Sequence, residues 1–482
     1  MTPDEFREYG HQLVDWIADF RKRVYAGEFP ALAQVKYGAL RARLPATPPQ
    51  SGEPFDAILR DLDQLIVPAL SHIQHPSYFA YFPANSLLAS VLADLASTGV
   101  AQLGLNWAAS PALTELEELT TDWFRQMLGL GDHWKGVIQD TASTATLVAM
   151  LCARERATDR SAERGGLQSA PAPVTVYSSE QNHSSVEKAV LLAGFGREHL
   201  RLIPTDQDHA LRIDALEAAL ERDLAAGAKP GAVVATIGTT GTTAIDPLAR
   251  IAVVARRHHL WLHVDAALAG SAMILPECRS LWQGVEAADS LAINPHKWLG
   301  AAFDCSTYYV RNPGELVSVM STNPSYLRTQ ADGEAKNFRD WGIPLGRRFR
   351  ALKLWFLIRE QGVEGLQARL RRDIANAQWL KEQVDATPGW ARLAPVPFQT
   401  VCVRHEPRGL EGETLDRHTL AWCGRINASG RAWLTPAQLD GRWMVRVSIG
   451  AEATERRHVQ ALWTLMRQEA ESSNRQARGS ST

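Results

Sequence analysis

Apolar residues recur at two different periods along this chain, and the change of period divides it. Phe6, Tyr9, Leu13, Trp16, Ile17 and Phe20 follow one another at spacings of three and four, which places them on one face of a helix. Thr2-Pro3-Asp4-Glu5 supplies its start: a hydroxyl N-cap, proline in the first turn and a glutamate positioned to complete a capping box. The proline-rich stretch RARLPATPPQSGEP (Arg41 to Pro54) then breaks the pattern. Residues 1–84 therefore read as a helical arm whose apolar stripe needs a cover, and a second subunit is the natural one. From about Val137 short β-rich runs alternate with helical stretches: VTVYSS (Val174 to Ser179), AVVATIG (Ala232 to Gly238), LWLHVDAA (Leu260 to Ala267), LAIN (Leu291 to Asn294) and CSTYYV (Cys305 to Val310). That alternation predicts an α/β fold, a mainly parallel sheet with helices on both faces, over residues 85–370. Ser321 to Trp341 has neither period and reads as a long loop. Gly346 to Gly362 reads as a helix leading into a small C-terminal α+β domain, residues 371–482, which ends in a polar tail.

Composition narrows the function. A chain of 482 residues is larger than a single core usually grows, so more than one domain is expected. A formal net charge of −2 offers no general attraction to nucleic acid or acidic membrane, which leaves small-molecule chemistry. The most apolar long segment, Ser86 to Ala109, is interrupted by Asp94, Gln102 and Asn106 and reads as buried helix, not a membrane span. Five cysteines with no CxxC pair suggest neither a disulfide framework nor a cysteine zinc site, and fit a reducing cytoplasm. The acidic amino terminus does not read as a secretory signal. His72 and His75 are spaced like metal ligands, but no carboxylate or cysteine set completes a site.

In such sheets ligands bind outside the carboxyl ends of the strands, and several polar motifs fall there. Lys297 in NPHKWLG follows the apolar run SLAI, and Asp265 closes LWLHVD thirty-two residues upstream. One β-α-β step can bring the amine and the carboxylate to the same edge. A lysine that forms a Schiff base, with an aspartate that keeps a pyridine nitrogen protonated, is what pyridoxal 5'-phosphate (PLP) needs. A snorkelling lysine and a capping aspartate are the plain alternatives. Thr141, Ala142, Ser143 and Thr144 stand just ahead of an apolar helix, where free N–H groups suit a phosphate. The loop GTTGTTAID (Gly238 to Asp246) has small residues that let backbone approach a ligand. His183 in SSEQNHSSVEKA is either a cap histidine or a flat ring to stack on a pyridine.

With these residues assembled, the chain resembles the group II PLP-dependent amino-acid decarboxylases, and within them the aromatic-L-amino-acid decarboxylases. The pieces that carry the resemblance are HPSYFAYFPANS, WAASPALTELE, GVIQDTASTATLVA, YSSEQNHSSVEKA, ATIGTTGTTAIDPL, WLHVDAALAGSA, NPHKWLG and IPLGRRFRALKLWF. The resemblance implies the fold type I of PLP enzymes, with a seven-stranded sheet, and a homodimer whose site lies at the subunit interface. By matching positions it implies that Lys297 holds PLP covalently, Asp265 pairs with the pyridine nitrogen and His183 stacks on the ring. It further implies phosphate binding by Ala142, Ser143 and Asn294, a cofactor site lined by Thr240, Asp246 and Ala267, and His296 beside both phosphate and substrate. Tyr81, Phe82 and Trp107 match the wall that receives the aromatic side chain. Gly346 matches a position where a small residue tends to accompany indolic substrates in plant relatives. Tyr326 matches a loop tyrosine that protonates the substrate carbon after carbon dioxide leaves. Leu268 departs from the tyrosine that close relatives often carry after DAA.

An aldehyde synthase, which decarboxylates and then oxidatively deaminates the same substrates, is the nearest rival. That branch typically has phenylalanine where Tyr326 stands. An aminotransferase fits fewer of the motifs. A PLP-binding regulator would bring a DNA-binding domain and a basic surface, and neither is evident. Tryptophan, DOPA, tyrosine, phenylalanine and 5-hydroxytryptophan all remain open as substrates.

Overall fold

The computed structural model describes residues 1–322 and 334–479, with side chains to residue 472. Contacts divide the chain into two units. The larger comprises residues 84–371 and 394–398; the smaller comprises 1–83, 372–393 and 399–482.

Seven strands form one sheet in the larger unit: β1 (Lys135–Gln139), β2 (Val174–Ser179), β3 (Leu200–Ile203), β4 (Lys229–Thr236), β5 (Trp261–Asp265), β6 (Ser290–Ile293) and β7 (Ser306–Val310). Their order is β1-β7-β6-β5-β4-β2-β3. β3, β2, β4, β5 and β6 run parallel, whereas β7 is antiparallel to both β6 and β1. Every strand but β7 therefore ends at the same edge. β2, β5, β6 and β7 are buried along their whole length, which is why they read as near-continuous apolar runs and not as alternations. The helix Ala142–Ala157 closes on the sheet with small residues, Ala145, Ala149 and Ala153, in one core with Val176, Val234 and Ala292. Register sets Asp265 beside Thr236 of β4 and Ala292 of β6.

The fold type expected from sequence is the one found, with local differences. β3 has no counterpart among the expected runs, because it is a four-residue edge strand whose Leu202 is exposed. Ser86 to Ala109 is not one buried helix: only Leu88–Gly99 is helical, and Leu88, Leu92 and Leu95 leave an exposed apolar stripe along it. The helix expected from Gly346 begins later, at Ala351, and runs to Ala386 with Gly362 at φ +64° inside it. No described helix is long and apolar enough to cross a membrane.

In the smaller unit the helix Pro3–Tyr25 starts at the expected Thr2 capping box. A four-stranded antiparallel sheet, β8 (Trp390–Arg392), β9 (Thr400–His405), β10 (Thr435–Leu439) and β11 (Arg442–Ser448), is ordered β10-β11-β9-β8 and accompanied by helices Gly412–Ala428 and Arg456–Gly479. The first 83 residues are tied into this unit. Arg21 bridges to Glu452 at 3.2 Å, and the Ala31 and Phe79 N–H groups donate to the Gly430 and Trp433 carbonyls. His72 stacks on Phe29 with centroids 4.6 Å apart, and His75 Nδ1 accepts the Ser77 N–H, so both rings have local packing roles.

Candidate active site

The carboxyl ends of β2, β4, β5 and β6 lie side by side, and each delivers polar residues. After β6 the chain turns through Pro295–Leu299, where Lys297 leaves helical geometry at φ −95°, ψ −107°. The Lys297 N–H donates to the Asn294 carbonyl at 2.9 Å, and its own carbonyl accepts the Asn85 N–H at 3.3 Å. Gly300 closes this turn at φ +102°, a conformation open to glycine, and a Cβ there would meet Leu87 Cδ1 at 2.3 Å. Lys297 is largely buried, and loss of hydration lowers the pKa of its ammonium, while the Asp265 carboxylate acts in the opposite direction.

Asp265 is 5% exposed at the end of β5, and its Oδ1 accepts the Ala267 N–H at 3.0 Å. Its charge is also felt at His183, whose pKa is lowered by burial and raised in part by Asp265. His183 is the N-cap of the helix Ser184–Leu192. Its Nδ1 accepts the Ser185 N–H at 3.1 Å and lies 2.8 Å from Ser185 Oγ, which fixes the ring and leaves the imidazole proton on Nε2. His296, one residue before Lys297, is pushed down to about 4, chiefly by burial and then by Lys297. Its Nδ1 accepts the Cys305 N–H at 3.0 Å, and its ring packs 4.7 Å from Phe303. Lys297, Asp265, His183, His296, Asn294 and Ala267 are thus brought to one edge of the sheet.

Three buried polar atoms at neighbouring strand ends have no hydrogen-bond partner among the described residues: Asn182 Nδ2 after β2, Thr236 Oγ1 at the end of β4 and Asn294 Oδ1 after β6. Buried groups are rarely left so in a native fold, and a polar ligand at this edge would complete them. The helix Ala142–Ala157 begins with Thr141 as its side-chain cap, Ala142 buried and Ser143 exposed, so its first N–H groups are available to an anion. Together with a largely buried lysine and a carboxylate, these donors fit a phosphorylated pyridine aldehyde.

Other expected residues are placed differently. Thr240 is exposed in the turn that the Gly238 and Thr239 N–H groups close onto the Ala244 carbonyl. Both carboxylate oxygens of Asp246 are engaged within the chain, one accepting the Leu211 N–H at 2.8 Å and the other the Thr236 N–H at 2.7 Å. It ties the end of β4 to the loop ahead of the helix Ile213–Ala225, a need for backbone acceptors that sequence does not reveal. Trp107 is partly buried, with its N–H on Asn337 Oδ1 and its indole Nε1 on Glu115. A Cβ on Gly346 would come 3.1 Å from Leu103 Cδ1. Tyr81 and Phe82 belong to the smaller unit, where Tyr81 is 57% exposed with its ring edge on Trp433, and the Arg446 guanidinium lies over Phe82. Leu268 is buried, unlike a polar residue reaching toward a ligand. Tyr326 lies outside the described residues. Phe303 and Thr236 were not singled out from sequence; Thr236 could have been found as the last residue of a buried strand, whereas nothing marks Phe303 before the chain folds back.

Comparison with known proteins places the chain among its relatives. The family model described as the pyridoxal-dependent decarboxylase conserved domain matches residues 38–405. A tryptophan decarboxylase of Camptotheca acuminata is 41% identical over 98% of this chain and 95% of its own length. A phenylacetaldehyde synthase of Arabidopsis thaliana is 39% identical over 98% of this chain and 96% of its own. The crystal structure of Oryza sativa TDC with PLP and tryptamine superposes with a TM-score of 0.94 at 37% identity, covering 98% of this chain and 99% of that one.

Proposed function

The chain belongs to the pyridoxal-dependent decarboxylase family, and from that premise we propose that it converts aromatic L-amino acids to arylethylamines and carbon dioxide, with Lys297 as the cofactor-bearing residue. It is a carboxy-lyase and its cofactor is PLP. The observation that carries the reading is the largely buried Lys297 at the end of β6, within electrostatic reach of Asp265 at the end of β5.

When bound, PLP supplies an electron-accepting ring. The chain's own residues make the rest of the chemistry possible. Desolvation favours the neutral, nucleophilic form of Lys297 Nζ. The Asp265 carboxylate faces a position where a protonated ring nitrogen is stabilised by charge pairing. His183 presents a fixed flat ring on which a pyridine stacks. Ala142, Ser143 and Asn294 are proposed to hold the phosphate at the helix N-terminus, with Thr240 and Ala267 beside the cofactor. His296, neutral at physiological pH, keeps a proton on Nε2 for the substrate. Trp107 and Gly346 are proposed to receive the aromatic side chain, and Tyr326 to protonate the substrate carbon.

A homodimer is part of this reading. The exposed apolar stripe Leu88, Leu92 and Leu95, together with exposed Phe6 on the first helix, supports burial against a second copy. Five free, buried cysteines fit the cytoplasm.

The aldehyde synthase reading is favoured by the 39% identity to a phenylacetaldehyde synthase. Product analysis separates the two. PLP-loaded protein given a panel of aromatic amino acids in air is expected to release amine and carbon dioxide in equal amounts. Aldehyde and peroxide as the main products would overturn the proposal.

A further inference from the structure

Glu117 lies within the helix Pro111–Leu128 with no exposed surface, where an unpaired carboxylate would be costly. Its Oε1 accepts the Ile138 N–H at 2.7 Å and Arg347 Nη2 at 2.5 Å, and the same Nη2 donates to the Ile138 carbonyl at 2.7 Å. Phe338 lies under the guanidinium, 5.0 Å from ring centroid to Cζ. The pair thus grips β1 by both backbone groups of one residue. On the far side, the Arg347 carbonyl accepts the Gly104 N–H at 2.9 Å, and the adjacent Gly346 packs against Leu103. Two further ties run in parallel: Gln139 Nε2 donates to the Trp341 carbonyl at 2.9 Å, and Asn337 Oδ1 accepts the Trp107 N–H at 3.1 Å.

Stability is a poor reason for this arrangement. Glu117 Oε2 and Arg347 Nη1 have no hydrogen-bond partner among the described residues, so the pair is not fully satisfied. Apolar side chains of the same volume often hold a segment as well, because the cost of burying two charges commonly matches what their attraction returns. Directional bonds achieve what apolar packing does not: they fix register. We propose that Glu117 and Arg347 are a positioning pair that sets the width of the aromatic pocket, by holding residues 337–347 and 103–107 in fixed register against the end of β1. The inference rests on Trp107 and Gly346 being the pocket wall assigned above.

Glu117→Gln removes the charge at constant volume, and Arg347→Lys keeps the charge without the planar fork. Each PLP-loaded variant and the parent protein are titrated with the methyl esters of L-tryptophan and L-tyrosine, which have no free carboxylate to lose. Binding is followed in the cofactor's visible spectrum, and Tm is measured on the same samples. The ratio of the two Kd values is expected to change about fivefold or more in both variants, with the ligand-free spectrum unchanged. An unchanged ratio with a lowered Tm would make the pair ordinary structural support and overturn the proposal. Should Glu117→Gln not fold, Arg347→Lys decides alone. Parent protein that binds both esters but makes no amine from the free amino acids would sink the decarboxylase reading while the Kd ratios still judge the pair. Parent protein that binds neither ester contradicts the pocket wall and the proposal with it.

Discussion

Asp265 and Asn294 are joined through a single residue. The Ala267 N–H donates to Asp265 Oδ1 at 3.0 Å, and the Ala267 carbonyl accepts the Asn294 N–H at 3.0 Å. The end of β5 and the residue that opens the Lys297 turn are therefore held in one register.

Asp265→Asn keeps an acceptor for Ala267 and removes the charge. The expected result is a fall in kcat of about 10²–10³-fold, the usual scale for losing one preorganised electrostatic group, with Tm nearly unchanged. Steady-state kinetics and thermal melting check it; a kcat within a few-fold of the parent would remove Asp265 from the chemistry.

Gly300→Ala tests the turn itself. The left-handed backbone and the contact with Leu87 predict a loss of about 1–3 kcal/mol in stability, together with weaker PLP retention. Urea unfolding and cofactor content after dialysis provide the measurements.

Asp246→Asn separates a structural tie from a cofactor contact. An amide offers one acceptor where two backbone N–H groups now donate, so stability should fall by about 1–3 kcal/mol. The visible spectrum of the loaded protein should not move; a shifted spectrum would return Asp246 to the cofactor site.

Low pH should destabilise the fold through its buried histidines. His75, His263, His296 and His418 are each held at about 4, mainly by burial, against about 6.5 in an unfolded chain. Their contribution is fully present above pH 6.5 and is lost progressively as pH falls toward 4, because the unfolded chain binds protons that the folded one refuses. Asp246, raised to about 6 by burial, acts in the opposite sense over part of that range. Urea midpoints at pH 7, 6 and 5 are expected to fall in that order.

Tyr326→Phe should divert part of the product from amine to aldehyde and peroxide in air. Unchanged amine yield without aldehyde would remove Tyr326 from the mechanism.

Much of this site was legible in the sequence because parallel strands buried on both faces read as apolar runs, and their first polar residues mark the edge where ligands bind. Asp265 after WLHV and Asn294 to Lys297 after SLAI are found in this way. Asp246 looked equally polar and equally placed, yet its two oxygens go to backbone donors from segments ten and thirty-five residues away, a pairing no local pattern encodes. Phe303 and the Glu117 to Arg347 pair escaped for the same reason: their partners are set by how the chain returns on itself. RRFRALK is rich in helix formers and so reads as helix from Gly346, whereas the Arg347 carbonyl is bonded to Gly104 and Arg350 to Asp304, and the helix begins at Ala351.

The most direct test of the central claim is to reduce PLP-loaded protein with borohydride, digest it and locate the phosphopyridoxyl group by mass spectrometry. The group is expected on the peptide that contains Lys297 and to be absent from that position in Lys297→Ala, which should also lack turnover. A modified lysine elsewhere, or full activity in Lys297→Ala, would contradict the account.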